Sequence, residues 1–196
     1  MSPAATSRAT GAMARLRALT AVEHERLERR FDLDARLRSP ASYVLLLERM
    51  LGFYRPLEER IAPFAAPIAG LGFADRRKAQ RLVDDLEAVG APRSAGPLPE
   101  ATRLPSVTSA DQALGVLYVL EGSTLGGALI AQQARLRLGV TPAIGASFFA
   151  SYGPSVGSRW RAFGAVVETH TGGTPSPPMA AAAVACFADL EAWLCD

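Results

Sequence analysis

Cysteine, lysine and histidine are almost missing from this 196-residue chain, and each shortage removes a class of reading. Cys186 and Cys195 are the only cysteines. They fall in one predicted helix, and nine residues at ~1.5 Å each puts them beyond disulfide reach. Reduced thiols fit a cytoplasmic location. Lys78 is the only lysine, so arginine carries nearly all the positive charge. Biased genomic composition accounts for that, as does arginine used for bidentate grip on carboxylate or phosphate. The formal net charge is only +2 and 20% of residues are charged. That balance argues against a nucleic-acid partner, which needs a clustered basic surface. The longest uninterrupted apolar stretch, Met179 to Ala188, is too short to span a bilayer. With no signal-peptide pattern at the start, the expectation is a cytoplasmic protein without membrane contact.

Hydrophobic residues are plentiful at 49%, enough for one sizeable core. No alternating β-branched run and no internal repeat occurs, so the fold class expected is all-α, a single-domain multi-helical bundle. Residues 1–12 are small and polar and read as a disordered N-terminus, leaving 13–196 as the helical domain. Leu16, Leu19, Leu27 and Phe31 recur at helical spacing over about Ala14 to Phe31. Ser39 before Pro40 opens a second helix towards Tyr54, which Pro56 kinks or restarts. Asp75 is a candidate cap for a helix ending at Gly90. Residues 91–107 are a proline-rich loop. Ser109 with Gln112 forms a capping box for a long helix to about Leu138. Shorter pieces, a helix over Ser158 to His170 and an alanine-rich last helix complete six or seven.

Only two histidines can serve iron or another metal. His24 sits mid-helix with Arg17, Thr20, Glu28 and Phe31 on its face. Glu28, four residues on, can accept the second imidazole N–H, as metal-bound histidines need. The same pair also reads as an ordinary surface contact. His170, next to Gly172, reads as a helix-end residue favoured by the macrodipole. The long fourth helix holds Gly115, Gly122, Gly126 and Gly127. Four interior glycines forfeit roughly 3–4 kcal/mol of helix propensity, so something must offset them. On a helical wheel Gly115, Gly122 and Gly126 fall within about 40° of each other. Close packing against another helix explains such a stripe. So does a flat rigid ligand lying on bare backbone, with a kink over it.

His24-Glu-Arg-Leu-Glu28 and Tyr118-Val-Leu-Glu-Gly-Ser-Thr-Leu-Gly-Gly127 resemble the proximal and distal motifs of the haem oxygenase family. The likeness is to bacterial members, including those paired with bacteriophytochromes. Supporting segments are Arg76-Arg-Lys78, Asp85-Leu86, Tyr152-Gly-Pro and Trp160-Arg161, together with Phe187 to Leu194. The resemblance implies haem sandwiched between a proximal helix and a kinked, glycine-rich distal one. It implies His24 as iron ligand, Glu28 as its partner, and Gly122 and Gly126 lining the distal face with Gly127. Arg17 and Arg161 match propionate-binding positions, with surface charge as the plainer reading. Tyr118 is a further contact candidate, while Tyr43 and Phe187 pack on the porphyrin or simply fill the core. Ser123 stands where mammalian members carry an aspartate that orders the proton-donating water network, so the relay is unassigned.

The activity implied is oxidative cleavage of haem to biliverdin, carbon monoxide and ferrous iron, with haem as substrate and cofactor. It needs O2 and electrons from an external partner, a ferredoxin or reductase, because no flavin or nicotinamide fingerprint is visible. A bacteriophytochrome is the implied biliverdin acceptor. A non-catalytic haem carrier or sensor would share the same residues. Thiaminase-like amine hydrolases need a cysteine nucleophile with acids, and Cys186 has no evident base beside it. Di-iron oxygenases need more carboxylate and histidine ligands than two histidines allow.

Overall fold

The protein, a computed structural model, is described over residues 11–90 and 97–195. The expectations for residues 1–10, 91–96 and 196 lie outside the described residues. Nine α-helical segments appear among the described residues. They are α1 (Ala12–Leu19), α2 (Ala21–Arg30), α3 (Leu33–Arg36), α4 (Pro40–Ala65), α5 (Ala79–Ala88), α6 (Ala110–Leu138), α7 (Ser147–Ala150), α8 (Val156–Thr171) and α9 (Pro177–Cys195). Two short 3-10 turns, Phe73–Arg76 and Gly153–Ser155, link them, and no strand occurs among the described residues. α1 starts at Ala12, ahead of residue 13 where the sequence reading opens the domain. Ala12 is fully buried, and Glu168 of α8 accepts the backbone N–H groups of Ala12 and Met13 at 2.9 and 3.1 Å.

Several ends follow from local chemistry. Ser39 and Ser42 close a reciprocal capping box, with Pro40 as the first helical residue. Ser109 accepts from the Gln112 N–H. The Gln112 side chain, however, reaches past Ser109 to the N–H of Thr108 at 2.7 Å. Gly139 ends α6 with φ 73°, the left-handed conformation a glycine adopts freely.

Other ends depend on distant partners. The long first helix expected from sequence breaks at Thr20, whose hydroxyl donates to the Leu16 carbonyl. Pro56 does not restart α4. It cannot donate to the carbonyl of Gly52, and the N–H of Ala101 does so instead at 2.9 Å. Gly52 is needed there, since a Cβ would sit 2.2 Å from the Pro99 carbonyl oxygen. Asp75 does not open α5. It lies in the 3-10 turn, and Glu58 of α4 receives the N–H groups of Lys78 and Ala79. α7 is capped likewise by Asp85, which accepts from Ser147 and Phe148 at 2.8 Å each.

α6 runs through the middle. Every residue from Ala113 to Glu121 is buried, so this half is enclosed on all sides. α6 and α9 are long and apolar enough to cross a membrane by length and composition, although no unbroken apolar run reaches that length. Here they pack against each other at the centre of the bundle.

Candidate functional site

From Gly122 onward α6 emerges from the core: Ser123, Leu125, Gly126 and Leu129 are exposed while Glu121, Thr124 and Gly127 remain buried. The four glycines therefore do different things. A Cβ on Gly115 would lie 2.2 Å from the Met179 carbonyl oxygen, so this glycine lets α9 approach. A Cβ on Gly127 would lie 2.5 Å from the Phe149 carbonyl oxygen. The structure thus places Gly127 in the seam with α7, away from the open face expected from its motif. A Cβ on Gly122 would lie 3.6 Å from the Trp160 ring, and one on Gly126 would meet nothing within 4 Å. The wheel grouped Gly115 with these two, but tertiary packing separates them. Only Gly122 and Gly126 border the open side.

His24 lies on α2 with its side chain about half exposed. Phe187 of α9 meets the imidazole edge-on with ring centroids 5.4 Å apart. Nδ1 is 3.5 Å from a Glu28 carboxylate oxygen, longer than a good hydrogen bond yet within reach of a small rotamer change. That leaves Nε2 as the nitrogen free to face a ligand.

The two halves lie on one side of the molecule. Along α9, Phe187 meets His24 and Glu191 meets Arg30, so α2 and α9 run the same way. Gly115 lies beside Met179 and Ala182, and Tyr54, which bonds Ser123, lies close to Cys186. α6 therefore runs that way too. Thr20, the N-cap residue of α2, lies within reach of the Tyr118 hydroxyl on α6. His24 and Gly122 thus stand one turn beyond Thr20 and Tyr118 respectively, on helices that run the same way.

Tyr118 is buried, its ring against Trp160 at 5.7 Å. Burial raises its pKa, and the Thr20 bond and nearby Arg17 partly offset the rise. Arg17 and Arg161 are exposed, on α1 and α8. Tyr43 is a core residue, its hydroxyl donating to the Gly145 carbonyl at 2.6 Å. His170 bonds Asp111 at 2.7 Å, far along the chain from these elements. Two cavities of about 410 and 290 Å³ lie elsewhere, by Arg81 and Ser147 and by Arg49 and Leu194.

Ser123 has a partner that sequence did not reveal. Its hydroxyl donates to the Leu120 carbonyl at 2.9 Å and receives the buried Tyr54 phenol at 2.8 Å. Burial pushes the Tyr54 pKa far up, so the phenol keeps its proton. Beneath the same turn, Glu121 binds Arg76 at 2.5 Å, Lys78, and the Tyr152 hydroxyl at 2.9 Å. Burial lowers the Lys78 pKa and Glu121 opposes that shift. This network ties Arg76, Lys78 and Tyr152 to the glycine-rich turn of α6.

A family model described as "Heme oxygenase" matches residues 10–171, spanning both α2 and α6. The chain belongs to the haem oxygenase family. A heme oxygenase of Xanthomonas campestris pv. campestris (strain 8004) is 33% identical over 128 residues, 65% of this chain and 72% of that protein. Among solved structures, the heme oxygenase of Neisseria meningitidis with NO and CO bound superposes with a TM-score of 0.66 at 21% identity. That match covers 93% of this chain and 88% of the other. At that identity the likeness shows the all-α fold. Membership in the haem oxygenase family makes this chain an enzyme whose ligand is haem.

Proposed function

We infer that haem lies in a cleft between α2 and α6 and is cleaved there to biliverdin, carbon monoxide and ferrous iron. The observation that carries this reading is that His24, half exposed, and Gly126, with open space where a side chain would be, lie on helices running the same way beyond Thr20 and Tyr118. When bound, haem supplies both the iron at which dioxygen is reduced and the ring that is opened. Everything else is the work of side chains already in place.

His24 would hold the iron through Nε2, and Glu28, after a small rotamer change, would accept the Nδ1 proton, fixing the tautomer and raising basicity. Arg17 and Arg161 grip the two propionates, for which a planar guanidinium is suited. Gly122 and Gly126 keep side chains off the distal face, so the backbone sets how closely oxygen and ring approach it. The Ser123 proton is committed to Leu120 and the Tyr54 proton to Ser123. Towards the cleft Ser123 therefore offers an accepting lone pair, a different role from that of a carboxylate at this place. Electrons come from a separate ferredoxin or reductase, the setting is cytoplasmic, and a bacteriophytochrome is a fitting acceptor for the bilin.

Titration of the purified protein with hemin tests this. Wild type should give a histidine-ligated haem spectrum, lost in His24→Ala and restored by added imidazole. Ascorbate or a reductase with O2 should then yield biliverdin. A stable Soret band without bilin would identify a carrier instead, and an unchanged spectrum in His24→Ala would overturn the ligand assignment.

A further inference from the structure

α2 carries the iron ligand of the reading above yet buries no side chain completely. Leu27 is only partly buried against the core. Hydrophobic packing alone therefore leaves its rotation about its own axis weakly fixed. One buried acid on α9 ties it down. Glu191 is 3% exposed, and its two carboxylate oxygens take separate arginines of α2. Arg26 Nε meets Oε2 and Arg30 Nη1 meets Oε1 at 2.9 Å. Arg30 also reaches the Cys195 carbonyl at 3.4 Å. The arginines hold the carboxyl well below the usual Glu pKa, so it is ionised at neutral pH.

Arg26 and Arg30 lie about 40° apart on the wheel of α2, whereas His24 lies about 160° and 120° from them. Drawing both arginines onto α9 from one side of α2 holds His24 on the other flank of the α2–α9 contact, at the edge of α9. Phe187, one turn before Glu191 on the same face of α9, then meets the imidazole edge and limits how far it turns. The geometry points to Glu191 as a positioning residue that sets the rotation of α2 and so aims His24 Nε2 at the iron. This role rests on the haem reading above. Glu191 never touches haem; it acts through Arg26 and Arg30.

The test compares Glu191→Gln with Asp189→Asn in the full chain. Asp189 is a buried carboxylate on the same helix, but its partner is Arg103 at 2.6 Å, remote in sequence from α2. It controls for a general loss of α9 stability. Without hemin, amide exchange over residues 24–30 should speed up in Glu191→Gln and not in Asp189→Asn. With hemin, Glu191→Gln should release haem about tenfold faster and broaden the ferrous iron–histidine stretching band. Asp189→Asn should stay within twofold, and Glu191→Asp should recover part of the loss. Equal exchange and equal release in the two variants, with His24-ligated haem in wild type, overturn the positioning role alone. Absence of His24-ligated haem in wild type overturns the haem reading, and the positioning role with it.

Discussion

The two helices proposed to enclose haem are held by opposite means. α6 is enclosed from Ala113 to Glu121 and anchored by buried ion pairs, whereas α2 has no fully buried side chain and is held by arginines reaching to α9. A densely packed helix has one available position, so the distal backbone is preset before a ligand arrives. A helix held by half-exposed ion pairs can shift slightly, which suits the helix proposed to close an iron–nitrogen bond. Rigidity sits where the shape of the pocket matters, and tolerance where a bond length must be met.

Substitutions can break that contrast. Glu121→Gln should cost the most, about 3–5 kcal/mol, because Arg76 and Lys78 would lose their counter-charge in the interior. Urea unfolding would read this as a lower midpoint, and an unchanged midpoint would mean α6 is not anchored by charge. Gly115→Ala should cost about 1–3 kcal/mol, since its methyl group meets the Met179 backbone. Gly126→Ala sharpens the comparison. It should stabilise the protein by about 0.8–1 kcal/mol through helix propensity while lowering the yield of bilin, because its methyl group enters the cleft. Ser39→Ala, which removes the capping box of α4, should cost about 1 kcal/mol. On α2, Glu25→Ala removes only an exposed pair with Arg29 at 3.7 Å and should change stability by under about 0.5 kcal/mol.

A pH titration gives a further, smaller effect. Hydrogen bonds from Ser176 and then His170 lower the Asp111 pKa below its ordinary 3.8. The folded carboxyl thus binds a proton less readily than the unfolded one. Its stabilising share is complete above pH 3.8 and is lost as pH falls through the lowered value. Asp111→Asn should lower stability modestly at neutral pH and flatten the acid side of the stability–pH curve, because the variant no longer has that contribution to lose.

Much of this was legible in the sequence where the cause is local. Ser39-Pro40, the Ser109 cap and Gly139 mark helix ends because their own side chains or φ angles make the cap. The start of α5 was not, because its cap is Glu58, twenty residues earlier on another helix. α1 and α7 are likewise capped by Glu168 and Asp85, acids that no local pattern connects to them. In the site, His24 and the glycine motif stood out, but the wheel could not tell a packing glycine from an open one. Gly115 and Gly127 face backbone carbonyls, and only the fold reveals which carbonyls arrive there. Tyr54 and Glu191 lacked any motif; their importance comes from being buried opposite Ser123 and two arginines.

The most direct measurement of the central claim is resonance Raman spectroscopy of the ferrous haem complex. An iron–histidine stretching band should appear in wild type, vanish in His24→Ala and return when imidazole is added. The same band persisting in His24→Ala would contradict the claim that this imidazole faces the glycine backbone across the haem.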